Sequence, residues 1–112
     1  MSSSTVRAFI IDDDPRFDTA PAESFGRRVF LNPSPSPFNA LEFMRETRRL
    51  LGGQGYDPDR DFITMSGKAI KQSLFIGAVC SEWAPVQLLL FHAPTNTYQV
   101  KTVCREYATD VG

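Results

Sequence analysis

Residues 61–91, DFITMSGKAIKQSLFIGAVCSEWAPVQLLLF, read as a strand, a helix and a second strand in close succession. Asp61-Phe62-Ile63-Thr64-Met65 predicts a strand over 61–65. Ser66 is placed to cap a helix over 67–83, which must stop before Ala84-Pro85. Val86 to Phe91 is a nearly continuous apolar run, as expected of a strand covered on both sides. Such a unit makes a parallel pair of strands joined by a right-handed crossover.

Working upstream, Arg27 to Asn32 predicts a short strand, and Pro33-Ser34-Pro35-Ser36-Pro37 a stiff extended connector. Ser36 can cap a helix that runs from Pro37 to Leu51 and stops at Gly52-Gly53. Ala40, Phe43, Met44, Thr47, Leu50 and Leu51 share its apolar face, while Glu42, Arg45, Glu46 and Arg49 lie opposite. The turn-rich stretch 54–60 leads into the next strand, so 27–65 is a second crossover unit. Farther upstream, 6–11 is β-rich, and 13–26, broken by Pro15 and Pro21, reads as an irregular excursion. Downstream, Ala93 to Thr97 reads as a hairpin loop into an alternating edge strand over 98–104. The expected fold is α/β: one compact domain over 1–112, a mixed, mostly parallel sheet of about five strands with two helices, in the order β-β-α-β-α-β-β. Residues 1–4 are expected to be disordered.

Composition bounds the function. The 112 residues are 42% hydrophobic and 22% charged, which excludes wholesale disorder. Twelve basic residues against thirteen acidic leave a net charge of −1, so nucleic acid and anionic membrane are not supported as partners. No apolar run reaches the ~20 residues of a spanning helix. Met1-Ser2-Ser3-Ser4-Thr5 lacks the features of a secretory signal. Two cysteines, Cys80 and Cys104, are too few for a disulfide scaffold, and a cytoplasmic location is expected.

Four local patterns bear on chemistry. Asp12, Asp13 and Asp14 follow the first strand, and paired carboxylates suit a hard cation, so Asp12 and Asp13 are candidate metal ligands. Phe9-Ile10-Ile11-Asp12-Asp13-Asp14-Pro15 resembles the opening of two-component receiver domains. The likeness ends there, because Pro15 and Pro21 replace the helix that should follow, and the strand at 61–65 ends in Met65-Ser66 where a phosphoacceptor aspartate belongs. Thr64-Met65-Ser66-Gly67-Lys68 passes from strand to helix, and Ser66, Gly67 and Lys68 form a candidate anion site. It is not a P-loop: Phe62 stands where the upstream glycine belongs, and Ala69 follows the lysine, so the turn is too short for a triphosphate. His92 and the cysteines carry no local signature of a nucleophile pair or a zinc site, and no cofactor is expected.

The fourth pattern is a surface. A helical wheel over 67–83 puts Ala69, Ile70, Ser73, Leu74, Gly77, Cys80 and Ser81 on one face, where small residues suggest close packing on the sheet. Lys68, Lys71, Gln72, Phe75, Val79 and Glu82 then share the outer face. Lys68, Lys71, Gln72, Phe75 and Val79 together read as an interaction patch, with an aromatic and an aliphatic residue framed by charge.

Phe25-Gly26-Arg27-Arg28-Val29-Phe30-Leu31, Asp61 to Gly67, and Leu88-Leu89-Leu90-Phe91 with Tyr98 resemble segments of small uncharacterised α/β proteins encoded by bacteriophages and other mobile elements. The resemblance spans most of 25–98 and implies a genomic setting and a compact fold. No catalytic residue comes with it. The expectation is a non-enzymatic macromolecule-binding protein, phage-encoded and acting on a host or phage protein in the host cytoplasm. The alternative is a nucleotide- or phosphate-ligand-binding domain using the 64–68 turn.

Overall fold

The strands expected at 27–32 and 61–65 flank the first strand on its two sides. The computed structural model describes residues 5–103; the expected disorder at 1–4, and Cys104, lie outside the described residues. Five strands, β1 (Arg7–Ile10), β2 (Arg27–Phe30), β3 (Phe62–Thr64), β4 (Val86–His92) and β5 (Thr97–Val103), form one sheet in the order β2-β1-β3-β4-β5. The first four are mutually parallel, and β5 returns antiparallel on β4, so the sheet is mixed. Two helices, α1 (Ala40–Gly53) and α2 (Ala69–Glu82), make the crossovers, and a 3-10 turn at Ala20–Ser24 lies between β1 and β2.

Crossover handedness fixes the layers. The chain steps one way from β1 to β2, then the other way from β2 past β1 to β3 and on to β4. Right-handed connections therefore put α1 and α2 on one face and the 3-10 segment on the other. Strand alternation follows suit. Phe9, Ile11, Ile63, Met65, Val86 and Leu88 join Phe43, Leu51, Phe75 and Val79 in the core beneath the helices. Ala8, Leu89 and Tyr98 meet Ala22, Phe25 and Phe62 on the opposite face.

At its start α1 departs from the sequence reading. Its N-cap is Asn39, and Ser36 instead accepts a hydrogen bond from the Phe38 amide (3.2 Å), a local turn that closes the proline connector. Phe43, Thr47 and Leu51 are buried as expected. In α2 the expectation is inverted. Lys68, not Ser66, is the N-cap, and Phe75 and Val79 are fully buried against the sheet. Ala69, Ile70, Ser73 and Ser81 are exposed. Gly77 faces α1, where a Cβ would meet Met44 Cε at 3.1 Å, and Arg48 of α1 reaches Ser81 (3.3 Å) and Glu82 (3.9 Å). Gly77 on the small-residue face thus packs on the neighbouring helix, while the bulky stripe fills the core. The outward patch built on Phe75 and Val79 is not a surface.

At the N-terminal edge, Asp61 ties β1 to the turn before β3. Its buried carboxylate accepts hydrogen bonds from the amides of Arg7 (3.1 Å) and Asp57 (2.9 Å), and from the guanidinium groups of Arg7 (3.2 Å) and Arg60 (3.0 Å).

Candidate functional site

In a sheet of this order the connections from β1 and β3 leave in opposite directions, so a crevice opens outside their C-terminal ends. Open α/β sheets bind ligands at such a switch point. Here β1 and β3 are parallel neighbours, pairing Ile10 with Thr64. The acidic loop after β1 and the turn after β3 therefore share one edge.

Gly67 makes the turn possible. Its φ of +104° is a conformation that residues with a Cβ rarely adopt. A Cβ there would lie 3.5 Å from Asp12 Oδ1 and 3.6 Å from Ile11 Cγ2, so the two loops touch. Asp12 Oδ2 pairs with Lys71 Nζ of α2, and its buried Oδ1 has no hydrogen-bond partner among the described residues. Asp13 is exposed, its amide donating to the side chain of Asn32 (3.0 Å). No group of three His, Cys, Asp or Glu able to hold a metal ion exists among the described residues. Lys68 is exposed at the helix start.

Beside this turn lies a cleft of about 340 Å³, lined by Arg16, Phe17, Asp18, Met65, Ser66, Gly67, Gln72, Phe91 and Tyr98. Of the predicted site residues, Ser66, Gly67 and Gln72 enter its wall, while Asp12, Asp13, Lys68 and Lys71 stand outside it. The walls come from both layers. The excursion after β1 carries Arg16 to Asp18, and the hairpin of β4 and β5 carries Phe91 and Tyr98, whose rings meet edge to face at 5.5 Å. Phe91 remains 46% exposed, because the cover expected over the whole of β4 stops short of its C-terminal end. Tyr98 is almost fully buried. Burial raises the pKa of its phenol, a hydrogen bond with Ser66 opposes that rise, and the nearby Asp18 carboxylate adds to it.

Arg16 stacks near Phe17, 6.0 Å from its ring centre, and its guanidinium forks onto Asp14 through Nε (3.0 Å) and Nη2 (2.6 Å). Those bonds hold the Asp14 carboxyl at about 2, well below its ordinary value. The other sequence candidates lie apart from the cleft wall. His92 Nδ1 meets Thr95 Oγ1 at 3.0 Å in the hairpin loop, and Cys80 packs half-buried against the core.

Arg16, Phe17, Asp18, Phe91 and Tyr98 carried no motif in the sequence. The one available signal was Phe91, an aromatic residue ending an apolar strand run just before the hairpin. No protein-family model, curated protein or solved structure matches the chain. No helix among the described residues is long and apolar enough to cross a membrane.

Proposed function

We propose that this chain is a small-ligand-binding α/β domain that takes a nucleotide-class ligand in the switch-point cleft. The observation that carries the reading is a single cleft combining aromatic rings, Phe17, Phe91 and Tyr98, with the Ser66–Gly67 turn at the start of α2. Its volume falls at the low end of the roughly 300–1,000 Å³ typical of small-molecule sites. The half-exposed rings of Phe17 and Phe91 offer a flat heteroaromatic group a stacking surface. The Ser66–Gly67 turn leads into the N-terminal end of α2, whose dipole favours an anion such as a single phosphate, and the short turn suits no longer phosphate chain.

The test is a thermal-shift panel of nucleosides, nucleoside monophosphates and inorganic phosphate. A ligand present at a hundred times its Kd stabilises the fold by about 2.7 kcal/mol, a readily measured shift. Phe91→Ala should remove the response while leaving the unliganded transition nearly in place, because Phe91 is half-exposed. No shift with any nucleoside or nucleotide at millimolar concentration overturns the reading.

A second reading keeps a protein partner. It rests on Phe38 (88% exposed) and Leu41 (71% exposed), which stand three residues apart at the start of α1 beside the proline connector. Contiguous exposed apolar groups mark contact surfaces. Phage origin, a cytoplasmic location and action on a host or phage protein belong to this reading and rest on the sequence. Pull-down with the wild type and a Phe38→Ser/Leu41→Ser double variant tests it; a partner retained equally by both removes the support of this patch.

A further inference from the structure

The two edges of the sheet are finished differently. At one edge β2 has four residues, opens on Arg27 and Arg28, and is followed by Asn32 at a φ of +47° and by Pro33. Arg28 is held by Glu23 (2.9 Å) and Thr19 (3.0 Å). A short, charged edge next to proline resists the addition of another strand. At the other edge β5 runs for seven residues and pairs with β4 residue for residue, without a bulge. It holds no proline and a single charge, Lys101. Gln99 to Thr102 are exposed, and no strand lies beyond β5 among the described residues. Its outer amides and carbonyls are therefore a template for a further strand. Val100 is exposed on the helix-free face, the face that also carries the half-exposed Phe91.

We infer that β5 is a self-pairing edge, joining antiparallel to β5 of a second copy of this chain about a two-fold axis at Val100. Symmetry selects the register. A two-fold perpendicular to the sheet keeps the helices of both copies on one face, so the axis must pass through a residue position and not between two. Val100 is the middle of the seven, so its register pairs the whole strand, roughly 23 Å of ladder at about 3.3 Å per residue. Thr97 then faces Val103, Tyr98 faces Thr102, Gln99 faces Lys101, and Val100 faces its own copy. The end and central pairs are β-branched, and each Lys101 meets a glutamine amide that can accept its hydrogen bond. A register centred on Lys101 would instead set two lysines directly opposite, which is unfavourable.

Sedimentation equilibrium of the full chain from about 10 µM to about 1 mM tests this. The expected result is a monomer–dimer equilibrium that stops at the dimer, because a two-fold pairing closes. Val100→Lys sets two like charges face to face and should weaken association by about tenfold or more, and Val100→Glu should do the same. An equimolar mixture of the two variants should recover association, since each pair then carries opposite charges. A merely structural role for Val100 would not respond to mixing. Gln99→Glu, at an exposed position, places a carboxylate across from each Lys101 and should tighten the dimer by about threefold or more. If a Val100 variant fails to fold, this substitution decides alone, and unchanged or weaker association overturns the pairing. A monomer across the whole range, growth beyond the dimer, wild-type association by folded Val100→Lys, or a folded mixture that stays monomeric also overturns it. None of these outcomes bears on the cleft.

Discussion

Asp61→Ala should be among the most damaging single substitutions in this chain, and its cost can be worked from the hydrogen bonds it removes. The buried carboxylate accepts from two backbone amides and two guanidinium groups. Counting each of these four charge-assisted contacts at about 1.5–3 kcal/mol would assign one side chain about 6–12 kcal/mol, as much as the whole stability of a small domain, about 5–15 kcal/mol, so the bonds cannot be additive. The relevant measure is the loss of one partner from a buried ion pair, about 3–5 kcal/mol. Arg7 and Arg60 keep some contact with water, at 11% and 24% side-chain exposure, which favours the lower figure. We expect a loss of about 3 kcal/mol, or about 1.5 M in urea midpoint for an m-value near 2 kcal/mol/M. Asp59→Ala is the control, because Asp59 is exposed two residues away and should change stability by less than about 0.5 kcal/mol. Equilibrium urea unfolding of both variants decides the matter. An Asp61→Ala loss below about 1 kcal/mol, or one equal to that of Asp59→Ala, would refute the view that this carboxylate locks β1 against β3 and so builds the switch point.

The acid limb of stability should carry the same signature. Burial pushes the Asp61 carboxyl up, but the Arg60 hydrogen bonds, the amides of Asp57 and Arg7, and the Arg7 charge outweigh it, leaving it below its ordinary 3.8. A depressed carboxyl contributes stability that is complete above 3.8 and lost as pH falls through its lower folded value, so Asp61→Asn should flatten the stability profile in that acid window. Phe75→Ala should cost about 3–5 kcal/mol in urea unfolding, as emptying a fully buried phenylalanine site does; a loss under about 1 kcal/mol would put Phe75 back on the surface. Gly67→Ala should cost about 1–3 kcal/mol from its φ of +104° alone, and should weaken ligand binding in the thermal-shift assay by distorting the turn. Gly77→Ala should be neutral or stabilise by up to about 1 kcal/mol, because only the mobile end of Met44 must yield and a glycine leaves the helix interior.

The inversion of α2 shows where legibility in the sequence ends. Helix α1 could be oriented by inspection, since its apolar positions fall in one stripe with Arg–Glu pairs opposite, and the structure has Arg45 on Glu42 and Arg49 on Glu46 in solvent. The strands were readable from β-branched and aromatic runs bounded by Pro, Gly and Asp. Helix α2 carries two apolar stripes, one small (Gly77, Cys80) and one bulky (Phe75, Val79), and it has two neighbours to satisfy. A wheel shows both stripes without saying which neighbour each will meet. Volume decides: a phenylalanine can fill the space over a sheet, whereas close approach of two helices favours a small residue such as Gly77 between them.

Lys71 and Gln72, on the same side as Phe75, looked like evidence for solvent. They sit in the first turn of α2, where Lys71 reaches Asp12 and Gln72 reaches the carbonyl of Gly67. A polar residue on the sheet-facing side of a helix end is thus compatible with burial of the next turn, provided a loop supplies its partner. The same geometry made the cleft illegible. Its walls come from an irregular excursion at 16–18 and a hairpin at 91–98, which share no periodicity and are about 75 residues apart along the chain. They meet because the β1–β2 crossover must lie on the face away from the helices, and the antiparallel return of β5 brings Tyr98 to that same face beside Phe91. Handedness and strand order, not any local motif, therefore place Asp18 near Tyr98 and bring Asp18 and Gln72 into one wall. Exchanging Tyr98 for Phe separates packing from polar recognition: the ring and its edge-to-face contact with Phe91 remain, and only the phenol hydroxyl is lost. That variant should unfold within about 1.5 kcal/mol of the wild type, the worth of one hydrogen bond, and should still stack an aromatic ligand. A Tyr98→Phe protein that folds normally but no longer responds to any nucleoside would make the phenol, not the stacked rings, the group on which recognition depends.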